Sequence, residues 1–167
     1  MATVPNGGCR EMSVAVRRIR ATDAMRYREV RLRALRSDPH AFGATYEGAL
    51  SRTDESWIES ATRNARSDDC AIFLAERDDQ LVGLAATMRE DRGREIFGAY
   101  QVWVAPEARG VGVGTRLMAA LEDFARSHGA AVMELHVYDA ATDARKLYER
   151  IGFVQDGGRM KKRLALG

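Results

Sequence analysis

The run Gln101-Val102-Trp103-Val104-Ala105-Pro106-Glu107-Ala108-Arg109-Gly110-Val111-Gly112-Val113-Gly114-Thr115-Arg116-Leu117-Met118 reads as a strand, a stop, a glycine loop and the first turn of a helix. Val102, Trp103 and Val104 are β-prone, and Pro106 ends the run they start. Gly110, Gly112 and Gly114 alternate just ahead of Leu117, Met118 and Leu121, which recur at helical spacing. Glycine has no Cβ, so such a backbone can turn its N–H groups onto a ligand at close range. A helix opening there adds unsatisfied N–H groups and the positive end of its dipole. In that order the parts make an anion cradle, and phosphate is the anion they suit. Arg109 and Arg116 add positive side chains beside it. Taken alone, a glycine cluster is equally well read as a plain turn.

Two common phosphate loops do not match. A Walker loop needs a Lys after its glycines, and none follows here. The dinucleotide fingerprint spaces its glycines Gly-x-Gly-x-x-Gly and sits near the start of its domain, whereas this loop reads Gly-x-Gly-x-Gly and lies about two-thirds along the chain.

The 167 residues suit one domain with a sizeable core. Lys and Arg number 26 against 24 Asp and Glu, with the signs mixed along the chain, so composition offers no support for nucleic-acid binding. No apolar run approaches the roughly 20 residues of a membrane span. The start lacks the apolar centre of a secretion signal, so a cytoplasmic protein is expected. Cys9 and Cys70 suggest neither a disulfide framework nor a metal site.

Residues 1–12, with Pro5-Asn6-Gly7-Gly8, read as a disordered leader, and Met12 is a candidate start codon; residues 13–167 read as a single domain. Ser13 to Arg20 alternates as a first strand. Thr22 and Asp23 signal a helix start, and Asp38-Pro39 closes that helix. The stretch from Pro39 to Ser51 lacks periodicity, and Thr53 caps a second helix. Ala71–Ala75 and Leu81–Met88 pair as a hairpin, and a polar turn, Asp91–Arg94, leads to a strand over Ile96–Val104. After the glycine-loop helix, which Gly129 ends, come a strand over Val132–Val137, a helix from about Thr142 to Arg150, and two strands split by Gly157-Gly158, the last over Met160–Leu166. The order β-α-α-β-β-β-α-β-α-β-β predicts an α/β fold with a mixed, mostly antiparallel sheet flanked by helices.

The segment Ala144-Arg145-Lys146-Leu147-Tyr148-Glu149-Arg150-Ile151-Gly152-Phe153 is a second motif, a late helix–turn–strand with Tyr after Leu and Gly-Phe after the helix. It falls about 35 residues beyond the glycine loop. Together the two motifs resemble the GNAT family of N-acetyltransferases, and Arg31-Leu32-Arg33-Ala34-Leu35 with Asp38-Pro39 and Ala41-Phe42-Gly43 also looks like its bacterial members. The resemblance implies a transferase moving an acetyl group from acetyl-CoA to a primary amine, with no metal. It implies that the backbone of Arg109, Gly110, Val111, Gly112, Val113, Gly114 and Thr115 holds the coenzyme A pyrophosphate. By the same resemblance Val102 and Val104 would line the pantetheine arm, and Tyr148 would be the acid facing the departing thiolate. Phe42, Tyr46 and Glu47 would border the acceptor; aromatics closing the core under a loop, and a solvated carboxylate, are the plain alternatives for these three.

The amine must lose a proton before it attacks. Glu95, Glu47, Glu134 and His136 are the candidates for that task, with Glu134 and His136 expected on a solvated strand face. The sequence departs from the family at Ala141, where members often carry an Asn that bonds the cofactor arm; Asp139 and Asp143 are nearby but negative. This departure is the sole support for a different function, a non-catalytic acyl-CoA sensor of the same fold. The acceptor is open among small amines, antibiotics, protein N-termini and lysine side chains. A homodimer is expected from the family alone.

Overall fold

The computed structural model describes residues 13–91, 95–138 and 142–165. The leader, most of the turn before Ile96, Asp139 and Ala141, and Leu166 lie outside the described residues. Among those described, seven strands form one sheet in the order β1-β2-β3-β4-β5-β7-β6. They are β1 (Ala15–Arg18), β2 (Cys70–Arg77), β3 (Gln80–Asp91), β4 (Ile96–Val104), β5 (Val132–Leu135), β6 (Val154–Asp156) and β7 (Arg159–Arg163). Every neighbouring pair is antiparallel except β4 with β5, which is parallel.

Five helices flank the sheet: α1 (Ala24–Ser37), α2 (Tyr46–Leu50), α3 (Asp54–Arg66), α4 (Val113–Ser127) and α5 (Thr142–Arg150). Apart from α2, this is the expected order. The short α2 was not expected, because five residues carry too little periodicity to show; Thr45 caps it by accepting from the Gly48 amide. Thr53 caps α3 in the same way through Ser56, as its sequence position suggested. Asp78 and Asp79, both at positive φ, make the tight turn that joins β2 to β3. The strands β5 and β7 are shorter at their C-terminal ends than the sequence led us to expect.

Alternation sorts the sheet residues. Phe73 and Phe97 stack edge-on against Phe124 of α4, at 6.3 and 6.0 Å between ring centres. Ile72, Ala86 and Tyr100, of opposite parity, share a cavity with Arg31 of α1 and Asn64 of α3. Tyr27 and Trp57 meet edge-to-face at 5.2 Å and lock α1 to α3.

Candidate active site

The sheet opens where its one parallel pair ends. β4 and β5 pair from Ile96 with Val132 to Ala99 with Leu135. β5 then stops, while β4 runs on to Val104. Beyond Ala99, no described strand pairs with β4 on that side, and backbone groups on such an edge can bond an extended ligand. The opening coincides with a bulge. Leu84 pairs with Trp103 and Ala86 with Tyr100, so Gln101 and Val102 together oppose Ala85 alone. Gln101 sits at φ +54, a conformation that costs a non-glycine residue about 1 kcal/mol, and its side-chain oxygen accepts from the Tyr27 hydroxyl at 3.0 Å. Nothing in the sequence marks Gln101 for this role.

The glycine loop stands beside that opening. Gly110 and Gly112 adopt φ +78 and +85, where no neighbour lies within 4 Å of an added Cβ, so backbone conformation alone requires glycine there. Gly112 is the residue before α4 and offers no capping side chain. No described residue accepts from the amides of Gly110–Thr115; the first amide of this region tied into α4 is that of Arg116, which donates to the Gly112 carbonyl at 3.1 Å. Those six N–H groups therefore lie at the positive end of a 15-residue helix with no acceptor among the described residues.

Arg109 is placed differently from the expectation. Its amide donates to Pro106 O at 3.3 Å, its Nε to the Val104 carbonyl at 2.8 Å, and its Nη2 to Asp38 Oδ2 at 2.8 Å. The guanidinium thus pins the loop to the end of α1, and one backbone group of Val104 is already used. The same carboxylate oxygen of Asp38 accepts from Trp103 Nε1 at 2.7 Å and from the Ser37 hydroxyl. Burial works to raise the Asp38 carboxyl, but the bonds from Ser37, Trp103 and Arg109 outweigh it and hold the group below the usual carboxylate range.

Two cavities meet at this place. One, of about 670 Å³, runs along the loop past Val102, Val104, Gly112, Gly114, Thr115 and Leu147. The other, of about 1060 Å³, lies under α1 and α3 over the sheet face that carries Ala86 and Tyr100. Ala41, Val102 and Tyr148 line both. Tyr148 comes from α5, is 6 % exposed, and stacks edge-on against Phe153 at 6.0 Å. Its hydroxyl bonds to no described residue, and burial pushes the phenol up from its ordinary value, so it is protonated at neutral pH.

Of the residues expected on the acceptor side, Phe42 lines the larger cavity, under the guanidinium of Arg31 at 4.5 Å. Tyr46 and Glu47 line neither cavity. Tyr46 is held by Arg36, which lies over its ring and bonds its hydroxyl, and Glu47 is exposed on α2. Tyr46 is half-buried and packs against the core, the plain alternative for it, while α2 leaves Glu47 in solvent. Val111 also lines neither cavity, being 69 % exposed. Glu134 is not on a solvated face: it is buried between β4 and β7 and bonded by Arg159. His136 is exposed and does line the larger cavity.

The sequence reading overlooked two residues here. Among the described residues the carboxylates lining the larger cavity are Asp69 and Glu90. Asp69 is taken by Arg89 at 2.8 Å, whereas Glu90 accepts from the Tyr100 hydroxyl. Burial, then the nearby Glu134, raises the Glu90 carboxyl. The other is Arg31, whose signal was legible: it sits in the stripe Tyr27, Val30, Ala34, Leu35 that α1 turns to the core.

The acetyltransferase (GNAT) family model matches residues 25–153. The chain belongs to the GNAT acetyltransferase family. Its GNAT fold superposes on the acetyltransferase of that family from Streptococcus pneumoniae with a TM-score of 0.81 at 18 % identity, over 92 % of this chain and all of the other. It also matches the PaiA N-acetyltransferase of Thermoplasma acidophilum, solved in complex with coenzyme A, with a TM-score of 0.73 at 18 % identity, over 91 % of this chain and 99 % of that one. In sequence it is 35 % identical to the mycothiol acetyltransferase of Thermobispora bispora over 127 residues. That match covers 74 % of this chain and 40 % of the relative, so the GNAT domain described here spans about two-fifths of the relative's length. No helix among the described residues is long and apolar enough to cross a membrane, and no described group of His, Cys, Asp and Glu could hold a metal ion.

Proposed function

We propose that this protein is an acetyl-CoA-dependent N-acetyltransferase acting on a primary amine. The observation that carries the proposal is the set of unengaged amides from Gly110 to Thr115, opening into a groove that ends at Tyr148. These amides would hold the pyrophosphate, and the free edge of β4 at Val102 would meet the amides of the pantetheine arm. Gly114 and Leu147 line that groove in close contact, with no room for a Cβ between them. Bound there, acetyl-CoA would supply an activated acetyl group at the junction of the two cavities.

The protein's own part is to handle protons and geometry. The amine enters from the larger cavity, and Glu90 is the described carboxylate there with its proton-accepting task open. A raised carboxyl is a stronger base than an ordinary one, which suits it to take a proton from an ammonium. The amine nitrogen bonds to the acetyl carbon as the carbon–sulfur bond breaks. Tyr148, which lines both cavities, would face the sulfur. An ordinary thiol loses its proton near pH 8.5, far below the buried phenol. Tyr148 therefore keeps its proton and stabilises the departing thiolate as a hydrogen-bond donor, a narrower role than the proton donation expected from the family.

A cytoplasmic setting and a homodimer, both expected earlier, belong to the same proposal; sedimentation checks the second. The test of the cosubstrate is calorimetric titration of acetyl-CoA into the native protein and into a Gly112→Glu, Gly114→Glu variant. Tight binding to the first and none to the second is expected. Equal binding would place the diphosphate site elsewhere and overturn the proposal.

A further inference from the structure

Four charged side chains are buried among the described residues: Asp23, Arg31, Glu122 and Glu134. Three are paired. Asp23 holds Arg17, Glu122 holds Lys162 and Arg126, and Glu134 holds Arg159. Arg31, 7 % exposed, is the exception. No described residue accepts a hydrogen bond from its guanidinium, and its Nη1 is sealed from solvent without a partner. The titratable groups that act on its charge are the Tyr27 phenol and another cation, Arg52, and no carboxylate is among them. A guanidinium stays protonated even when buried, so an uncompensated one in a folded core implies an anion that arrives later.

Arg31 lines the larger cavity, and the Phe42 ring against its flat face fixes how it is presented. Arg63 of α3 lines the same cavity, is exposed, and makes no ion pair with a described residue. The helices α1 and α3 thus each bring a cation to this cavity, while Glu90 lines it from the sheet. We propose that the acceptor carries an acidic group, a carboxylate or a phosphate, in addition to its amine, and that Arg31 binds that group. The inference rests on the acetyl-transfer reading above and narrows its substrate class. A planar guanidinium bonds either oxyanion through two parallel N–H donors, which orients the molecule as well as holding it. With the acid held at Arg31, the amine is directed toward Glu90 and Tyr148.

The test uses matched amines: amino acids with their amides, and aminoalkyl phosphates with the corresponding amino alcohols. Thiol release from acetyl-CoA is followed for each in the native protein, Arg31→Gln and Arg31→Lys. At least one acidic member is expected to exceed its neutral partner at least tenfold in kcat/KM. Arg31→Gln should abolish that preference through KM, and Arg31→Lys should restore part of it. Which pairs respond tells carboxylate from phosphate. Equal use of both members by the native protein overturns the inference, whether or not the variants fold, and so does a preference that survives Arg31→Gln. If no amine turns over, the same probes are titrated into protein saturated with coenzyme A. Binding of an acidic member that Arg31→Gln loses then supports the inference, and no binding of any acidic member overturns it. Failure to bind acetyl-CoA sinks the transferase reading instead, and is seen separately.

Discussion

Leu147 Cδ2 stands so close to Gly114 that a Cβ on the glycine would lie 2.9 Å away, closer than carbon atoms pack. Gly112, two residues earlier, has nothing within 4 Å but a φ of +85. One glycine is demanded by a contact and the other by a torsion. Gly114→Ala should narrow the groove between α4 and α5 and weaken acetyl-CoA binding about tenfold, with the fold within about 1 kcal/mol of the parent because a leucine tip can shift. Adding Leu147→Ala should restore the lost binding. The same second change should do nothing for Gly112→Ala, which is strained by about 1–2 kcal/mol whatever its neighbours. Titrations and melts on the four variants check this, and rescue of both glycine variants would refute the distinction.

Tyr148→Phe removes a hydroxyl that no described residue bonds. Its melting temperature should not fall. A hydrogen bond to a developing charge is worth about 1.5–3 kcal/mol, so kcat should drop about 10- to 100-fold while KM for acetyl-CoA changes less than about threefold. Unchanged turnover would remove Tyr148 from the chemistry. A parent protein that binds acetyl-CoA yet turns over no amine would point instead to the acyl-CoA sensor.

Glu90→Gln should lower kcat about 100-fold at neutral pH. In the parent, activity requires the ionised carboxylate, so it should fall as pH drops through a value above the ordinary 4.5. That acidic limb should be missing from what activity the variant retains. A pH–rate profile with the same limb in both proteins would assign the base elsewhere.

Asp38 connects the end of α1 to the β4–loop corner through Trp103 and Arg109. Asp38→Ala leaves the Trp103 indole N–H, in a residue 4 % exposed, with only the Ser37 hydroxyl at 3.2 Å. The expected loss is about 1–2 kcal/mol in urea unfolding, together with weaker acetyl-CoA binding because the loop is no longer pinned. Asp38→Asn keeps one acceptor oxygen and should lose less. Two variants equal in stability would mean that the carboxylate does not organise this corner.

Asp23 accepts two bonds from Arg17, at 2.7 and 3.0 Å, and one from the Arg20 amide at 2.7 Å. The Arg17 bonds are the largest influence and hold its carboxyl below the ordinary 3.8 despite burial. Its contribution is therefore full above that ordinary value and is lost as pH falls through the lower folded one. Asp23→Asn should cost about 2 kcal/mol at pH 7 and nearly nothing once the parent is protonated. Urea melts across that range check it, and a loss independent of pH would contradict it.

The helix start at Thr53, the helix opening at the glycine loop, the stop at Asp38-Pro39 and the hairpin joining Ala71–Ala75 to Leu81–Met88 were legible because each is set by chemistry within a few residues. The loop-then-helix geometry was legible for the same reason, although alternating glycines before an amphipathic helix took the second motif at Tyr148 to tell a cradle from a plain turn. Arg31 was legible in principle, as a cation in an apolar stripe, yet a stripe does not say whether its cation finds a partner. The bulge at Gln101 was not legible. Its positive φ is imposed by the opening of β4 from β5 and supported by Tyr27, 74 positions away in the chain. That Tyr46 and Glu47 line neither cavity was not legible, because the loop that carries them is helical for a single turn, which leaves no pattern to read.

The chain's sequence alone settled the order of its elements apart from α2, the glycine loop that opens α4 and the family to which these belong, since periodicity and turn chemistry act over short spans. Only the folded arrangement decided which of those residues share a cavity: Arg31, Phe42, Glu90 and Tyr148 come from separate elements and meet across the opened sheet. It also decided that Arg109 is a tether and that Arg31 has no partner among the described residues. Contacts of that kind depend on how distant segments pack, and a linear pattern does not carry their distances.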